Sequence, residues 1–364
     1  MILRELSLLG RTLCYNIAMK RINFIDTAKA LALYLVVVGH TVSSTSPYFR
    51  FIFAFHMPVF FFFAGYCFKD RDIALGIGKF IAKKAKALLI PYAIFAVIGF
   101  AIMLVFDSWK PDLSAFDFAM KYVYYAQPPA LGQTWFLIAL LMSSIMFRLV
   151  IGFITTRDKT GVEAGTSGNI KLRPIPYILV MAAFAAAGAL VCKVIHIPRF
   201  ERLPWKIDTA LTANVFMLAG YAFSKLGIMD KIKKPAMAVL TVILPVIIYF
   251  TAVRLNGYVN ICDCIYDNVG LYYIGAFAGS IWMCILGKWL EQVNWLAWLG
   301  KNSMPIFGIH SFVLWAWVRV YCKIIHQDMV HLPDSLISLV IIPIIAYACS
   351  TLFVPVYNKV LKRL

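Results

Sequence analysis

Three side chains that a bilayer should reject stand in one apolar stretch near the start of the chain: Asp26, Lys29 and His40. On a helix turning about 100° per residue, Lys29 and His40 fall on one face, about 16 Å apart along the axis. Asp26 precedes Lys29 by one helical turn and is placed to pair with it. Such a line offers charge stabilisation at one end and proton transfer at the other, because imidazole is the side chain that ordinarily titrates nearest neutral pH. A charge at mid-bilayer costs from about 3 to 10 kcal/mol or more, so the stripe should face protein or a watery cavity. Behind His40 come Thr41, Ser43, Ser44, Thr45 and Ser46, hydroxyls suited to a mouth.

Other residues invite a functional reading. His56 precedes Pro58 in FHMPVFFFFAGY, and His310 lies in LGKNSMPIFGIHSFV; both are histidines inside apolar segments. Proline removes a backbone donor and can bend the helix beside His56, while Phe60–Phe63 suits a surface facing lipid or another helix. Trp135, in GQTWF, is either an interface anchor or a ring on which a sugar stacks. Arg199 and Arg202, with Glu201, Trp205, Lys206 and Asp208, form a charged aromatic patch that is either a solvated loop or an anionic acceptor site. Lys83 and Lys86, with Lys79 and Lys84, precede Pro91-Tyr92 as a basic flank able to bind phosphates. His196, His326 and His331 sit in or beside loops and read as solvated.

These residues need elements to carry them, and composition says which. Of 364 residues, 62% are hydrophobic and 14% charged, and the mean hydropathy is +0.80. A soluble globular chain is nearer 45–50% apolar and about 25% charged. The chain therefore reads as an all-α polytopic membrane protein. Apolar runs of about 20 residues predict ten spans, near 24–42, 49–68, 87–106, 134–153, 175–194, 209–224, 236–253, 269–287, 303–323 and 335–354. The sixth is short and interrupted by Asn214 and Gly220.

Ten spans put both termini on one side. With the N-terminus cytoplasmic, Lys and Arg on that side outnumber those outside by more than two to one, as the positive-inside rule requires. Topology and anionic lipid thus account for the net charge of +18, and no nucleic-acid partner is implied. Residues 157–174 read as a flexible Gly/Ser/Thr-rich inside loop, and 107–133 as an aromatic outside loop. Eight cysteines are scattered, mostly in apolar runs as small hydrophobes. Cys262 and Cys264 are too close for an easy disulfide and too few for a zinc site, so no metal is expected. Residues 1–20 are weakly apolar and broken by Arg4, Glu5, Arg11 and Lys20; they read as an N-terminal extension, with Met19 an alternative start. Residues 21–364 read as one membrane domain.

In this order and spacing the motifs resemble the acyltransferase-3 family of integral membrane O-acyltransferases. The resemblance rests on a basic residue, ten intervening residues and a histidine, here Lys29 to His40 within D-x-x-K-x10-H from Asp26. It extends through FHMPVFFFFAGY, Lys83 and Lys86 before Pro91-Tyr92, WFLIALL from Trp135, the Asp208 stretch, and LGKNSMPIFGIH to His310. Two departures stand out: lysine replaces the family's frequent arginine at Lys29, Lys83 and Lys86, which removes bidentate pairing, and the extra outer domain of longer members is missing.

The resemblance implies transfer of an acyl group, most simply acetyl from acetyl-CoA, to a hydroxyl of a cell-surface glycan or its lipid-linked precursor. It places the protein in the bacterial cytoplasmic (inner) membrane. It makes His40 the general base or acyl carrier, Lys29 the charge stabiliser and Asp26 its positioner. Lys83 and Lys86 would meet CoA phosphates, and His56, Trp135, His310, Arg199 and Arg202 the acceptor. The rival class is a transporter or flippase of a lipid-linked glycan or small solute, coupling protons through Asp26, Lys29 and His40. Internal repeats that would favour a transporter are not evident.

Overall fold

The computed structural model describes residues 22–106, 111–157, 170–194, 202–326 and 332–363. The extension over 1–20, the alternative start Met19 and the expected acceptor residue Arg199 lie outside the described residues.

Every expected span is helical. The first is α1 (Asn23–Gly39); the second is divided into α2 (Pro47–Phe53) and α3 (Pro58–Tyr66). A short α4 (Asp70–Ala74) leads into the long α5 (Ile77–Val105), and α6 (Ala115–Val123) follows. Next come α7 (Trp135–Ile154), α8 (Pro174–Val194), α9 (Ile207–Lys225), α10 (Ile228–Lys231) and α11 (Lys234–Ile248), the last continued by a π-helical turn, Tyr249–Arg254. The C-terminal part holds α12 (Val269–Trp289), α13 (Asn294–Lys301), α14 (Ser303–Ile324), α15 (Ile342–Ser350) and α16 (Val354–Leu361). Strand pairs are minor: Thr155–Arg157 with Ile170–Leu172, and Val259–Asn260 with Ile265–Tyr266, both antiparallel. The first pair frames the expected flexible loop, whose residues 158–169 lie outside those described.

Eight stretches among the described residues are long and apolar enough to cross a membrane, and the chain is a multi-pass membrane protein. The two expected spans outside that set are α1, 17 residues long and carrying Asp26 and Lys29, and α9, carrying Asp208 and Asn214. Their polarity has a structural reason. α1 is enclosed by α12, α13, α14 and α15, and α9 by α3, α7 and α8, so both meet protein rather than lipid. The outer helices show the opposite character: Ile178, Leu179 and Leu190 of α8 and Val239, Val242 and Val246 of α11 are exposed. That is the surface a hydrocarbon environment accepts.

Close packing inside the bundle relies on small residues, as it must where lipid gives no hydrophobic drive for helices to associate. α3 and α9 touch backbone to backbone. A Cβ on Gly65 would stand 1.8 Å from the Met217 carbonyl oxygen, and one on Gly220 would stand 1.9 Å from that of Phe62. Phe61, Phe62 and Phe63 are buried in this packing, so the phenylalanine run faces helices and not lipid.

Candidate active site

α1 carries Asp26 and Lys29 near its start and His40 just after its last residue; of the three, only His40 borders the cavity that His56 and Trp135 also line. Asp26 is buried against α13, where a Cβ on Gly300 would lie 1.6 Å from the Asp26 carbonyl oxygen. Lys29 Nζ donates to Asp26 Oδ1 at 3.2 Å, one turn along. The helix runs unbroken to Gly39, and His40 caps it with its backbone N–H on the Val37 and Val38 carbonyls. Thr41 then ends the helix: its hydroxyl bonds the Val38 carbonyl at 2.6 Å and that of Ser338 at 2.8 Å. Leu332 N–H donates to the Thr41 carbonyl, and the Ser46 hydroxyl to Asp334. The turn behind His40 is thereby tied to the segment preceding α15.

The second span breaks where its proline predicts. Pro58 has no N–H for the preceding turn, and the chain crosses Ala54–Met57 in turns before α3 begins. His56 sits in this break. Its Nδ1 is 3.1 Å from the Ile52 carbonyl oxygen; a carbonyl only accepts, so Nδ1 holds the proton and Nε2 keeps the lone pair. His310 of α14, 0% exposed, is fixed the same way by the Phe307 carbonyl at 2.6 Å, and its Nε2 has no hydrogen-bond partner among the described residues.

These elements bring three of the six histidines together. The His40 and His310 rings lie 5.5 Å apart between centroids, His40 and Phe53 6.2 Å, and Phe53 and His56 4.4 Å. A cavity of about 230 Å³ borders two of them, His40 and His56, and is lined as well by Phe53, Gln127, Gln133 and Trp135. Asn260 and Asp263 also border it. His40 is solvent-exposed, and His56 forms wall. His310 stands behind His40 and does not line the cavity, so its place suits support of that ring and not contact with an acceptor.

The remaining expected residues divide. Trp135 lines the cavity. Arg202 does not; its Nε pairs with buried Asp208 at 2.6 Å and its Nη2 reaches Cys264 Sγ at 2.9 Å. The cation that contacts cavity-lining residues is instead Lys206, 4% exposed and itself behind the lining. Its Nζ donates to Gln127 Oε1 at 2.8 Å and to the Cys262 carbonyl at 3.2 Å, and lies 5.9 Å from the Trp135 ring centre. Trp205 and Lys206 both adopt left-handed backbone, φ 57° and 56°, which costs a residue with a Cβ about 1 kcal/mol or more. Burial pushes the adjoining Cys262 thiol up to about 12, a protonated group and a poor nucleophile at neutral pH.

Lys83 and Lys86, one turn apart on α5, are also separated. Lys83 is engaged by Asp72 at 2.6 Å. Lys86 borders a second cavity of about 450 Å³ with Lys301, Asn302, Tyr357 and Asn358. Sequence reasoning overlooked Gln127, Gln133 and Lys301, because one glutamine or lysine beside aromatics looks like any loop residue until the chain folds back on it. Among the described residues no cluster of His, Cys, Asp and Glu forms a metal site.

The fold is thus a helical membrane bundle that brings His40 and His56 to the border of one cavity. The sequence model of the acyltransferase-3 family, described as an acyltransferase domain, matches residues 22–357, and the chain belongs to that family. Family membership speaks for acyl transfer rather than for the transporter reading. The chain is similar to the nodulation protein NolL of Sinorhizobium fredii, 29% identical over 140 residues. That match covers 35% of this chain and 36% of the relative. NolL of Mesorhizobium japonicum is 25% identical over 140 residues, 35% of each chain. The matched region spans only about a third of these curated relatives.

Proposed function

We propose that the protein transfers an acetyl group from cytoplasmic acetyl-CoA to a hydroxyl of a cell-surface glycan or its lipid-linked precursor. The observation that carries this reading is the exposed His40 beside the cavity, at the end of a helix whose other end holds the Asp26–Lys29 pair. In this reading both termini are cytoplasmic, the membrane is the bacterial inner membrane, and the cavity opens outward to the acceptor.

The acceptor hydroxyl loses its proton to His40 as its oxygen attacks the thioester carbonyl. The C–O bond forms, the C–S bond breaks, and the CoA thiolate leaves and takes up a proton. His310 holds the His40 ring, and Lys29, positioned by Asp26, stabilises charge on the donor arm. Lys86, with Lys301 beside it, receives phosphate of the donor; Lys83 is neutralised by Asp72 and contributes less. If His40 instead carries the acyl group, hydroxylamine-sensitive label will accumulate on the protein when acceptor is withheld.

The test uses membranes containing the protein, radiolabelled acetyl-CoA and the host's glycan precursors. Base-labile ester in the glycan fraction is the expected result. Its absence, in membranes whose glycan fraction is chemically intact and free of prior ester, would refute the reading.

A further inference from the structure

Two glutamine amides border the cavity, and their partners fix them in opposite senses. Lys206 is an ammonium and only donates, so the oxygen of the Gln127 amide must face it, at 2.8 Å. The Gln127 NH2 group is left for the cavity, near Gly132: a Cβ on that glycine would lie 4.0 Å from Gln127 Nε2. Gln133 is held the other way. Its Nε2 donates to the Gly308 carbonyl at 3.0 Å, and a carbonyl only accepts, so its amide oxygen is the atom left over. Neither orientation depends on distinguishing nitrogen from oxygen by position, since the partner chemistry decides both.

We propose that Gln127 and Gln133 are the acceptor-reading pair of this cavity, with Lys206 the positioning residue that keeps Gln127 turned donor-inward. This inference rests on the acyl-transfer reading above. Gln127 donates to one acceptor oxygen, and Gln133 accepts from a neighbouring hydroxyl. Trp135 lines the cavity with Lys206 Nζ 5.9 Å from its ring centre, and it gives a sugar ring a flat surface. The acceptor so recognised is a pyranose-like ring with two adjacent oxygen substituents, one free to donate. A site built to hydrogen-bond a hydroxyl rejects an analogue without it far more strongly than an apolar pocket can. Lys206 also explains why two left-handed residues persist in succession: the strained turn delivers a buried cation to the back of one amide.

Gln127→Glu is the informative variant. It keeps a partner for Lys206, now a carboxylate, so the loop stays closed, yet it replaces the inward N–H donors with an acceptor. Membranes carrying wild type, Gln127→Glu, Lys206→Met and the double variant are compared for base-labile ester made from radiolabelled acetyl-CoA and endogenous glycan. Thermal unfolding of each purified protein is recorded alongside. Gln127→Glu should unfold no lower than wild type and lose about tenfold or more in ester formation, with an unaltered apparent KM for acetyl-CoA. Lys206→Met should lose a similar factor at the same KM, and the double variant should lose no more than the worse single one, because the two act as one unit.

Wild-type ester formation by Gln127→Glu, or losses that multiply in the double variant, would overturn the inference and leave acyl transfer standing. So would a defect confined to the KM for acetyl-CoA, which would put the pair on the donor arm. No ester from wild type would instead overturn the acyl-transfer reading, and this inference with it.

Discussion

His40 and His310 face one another with ring centroids 5.5 Å apart and planes inclined at 36°, joining the first helix to the ninth expected span. His310 is wholly enclosed, and its Nδ1 is committed to the Phe307 carbonyl. In the proposed mechanism this enclosed imidazole backs the His40 ring. His310→Phe keeps the ring's bulk and removes both nitrogens. It should lower kcat by about tenfold or more, within the range for general acid–base assistance, with little change in KM for acetyl-CoA. Unchanged kcat in ester-forming membranes would reduce His310 to packing.

At the other end of α1 the test is charge. Lys29 is the cation of the only α1 ion pair among the described residues, with Asp26 at 3.2 Å. Lys29→Arg should retain most ester formation, whereas Lys29→Met should lose it while inserting normally. Equal rates in the two variants would leave Lys29 as a residue that merely extends its ammonium toward headgroups.

The α3–α9 contact sets a stability prediction. With backbone at 1.8 Å and 1.9 Å from where side-chain carbons would sit, Gly65→Ala and Gly220→Ala must push the helices apart. Overpacking of this kind costs about 1–3 kcal/mol. Each variant should melt lower in detergent than wild type, and Gly76→Ala, where nothing lies within 4 Å, should not.

Cys262 gives a pH prediction. Its thiol, raised by burial to about 12, is protonated below that value, so thiolate becomes available only as pH climbs toward it. Maleimide labelling of a variant retaining Cys262 as its single cysteine should be slow at pH 7 and accelerate steeply by pH 10. Rapid labelling at pH 7 would place the thiol in open solvent.

Much of this was legible in the residues. Apolar run lengths located helical stretches, eight of them among the described residues long and apolar enough to cross a membrane, and the proline at 58 located the break beside His56. Burial was harder to read. α1 and α9 carry too much polarity for lipid because they are inner helices, a fact of tertiary packing that run length alone does not reveal. The cations were harder still. Arg202 and Lys206 are close neighbours in one patch, yet Asp208 neutralises the first, while the second reaches Gln127 and the Cys262 carbonyl on the cavity wall. Which lysine or arginine finds a carboxylate depends on how the chain turns, as the Arg202–Asp208 and Lys83–Asp72 pairs show, and run length and composition do not give that.

The central claim is that ester formation requires the imidazole at position 40. Membranes containing wild type or His40→Ala, matched for folded protein, are incubated with radiolabelled acetyl-CoA and glycan precursors. Base-labile ester should form with wild type and fall to background with His40→Ala. Ester at the wild-type rate in the alanine variant would contradict the account and move the chemistry away from this cavity.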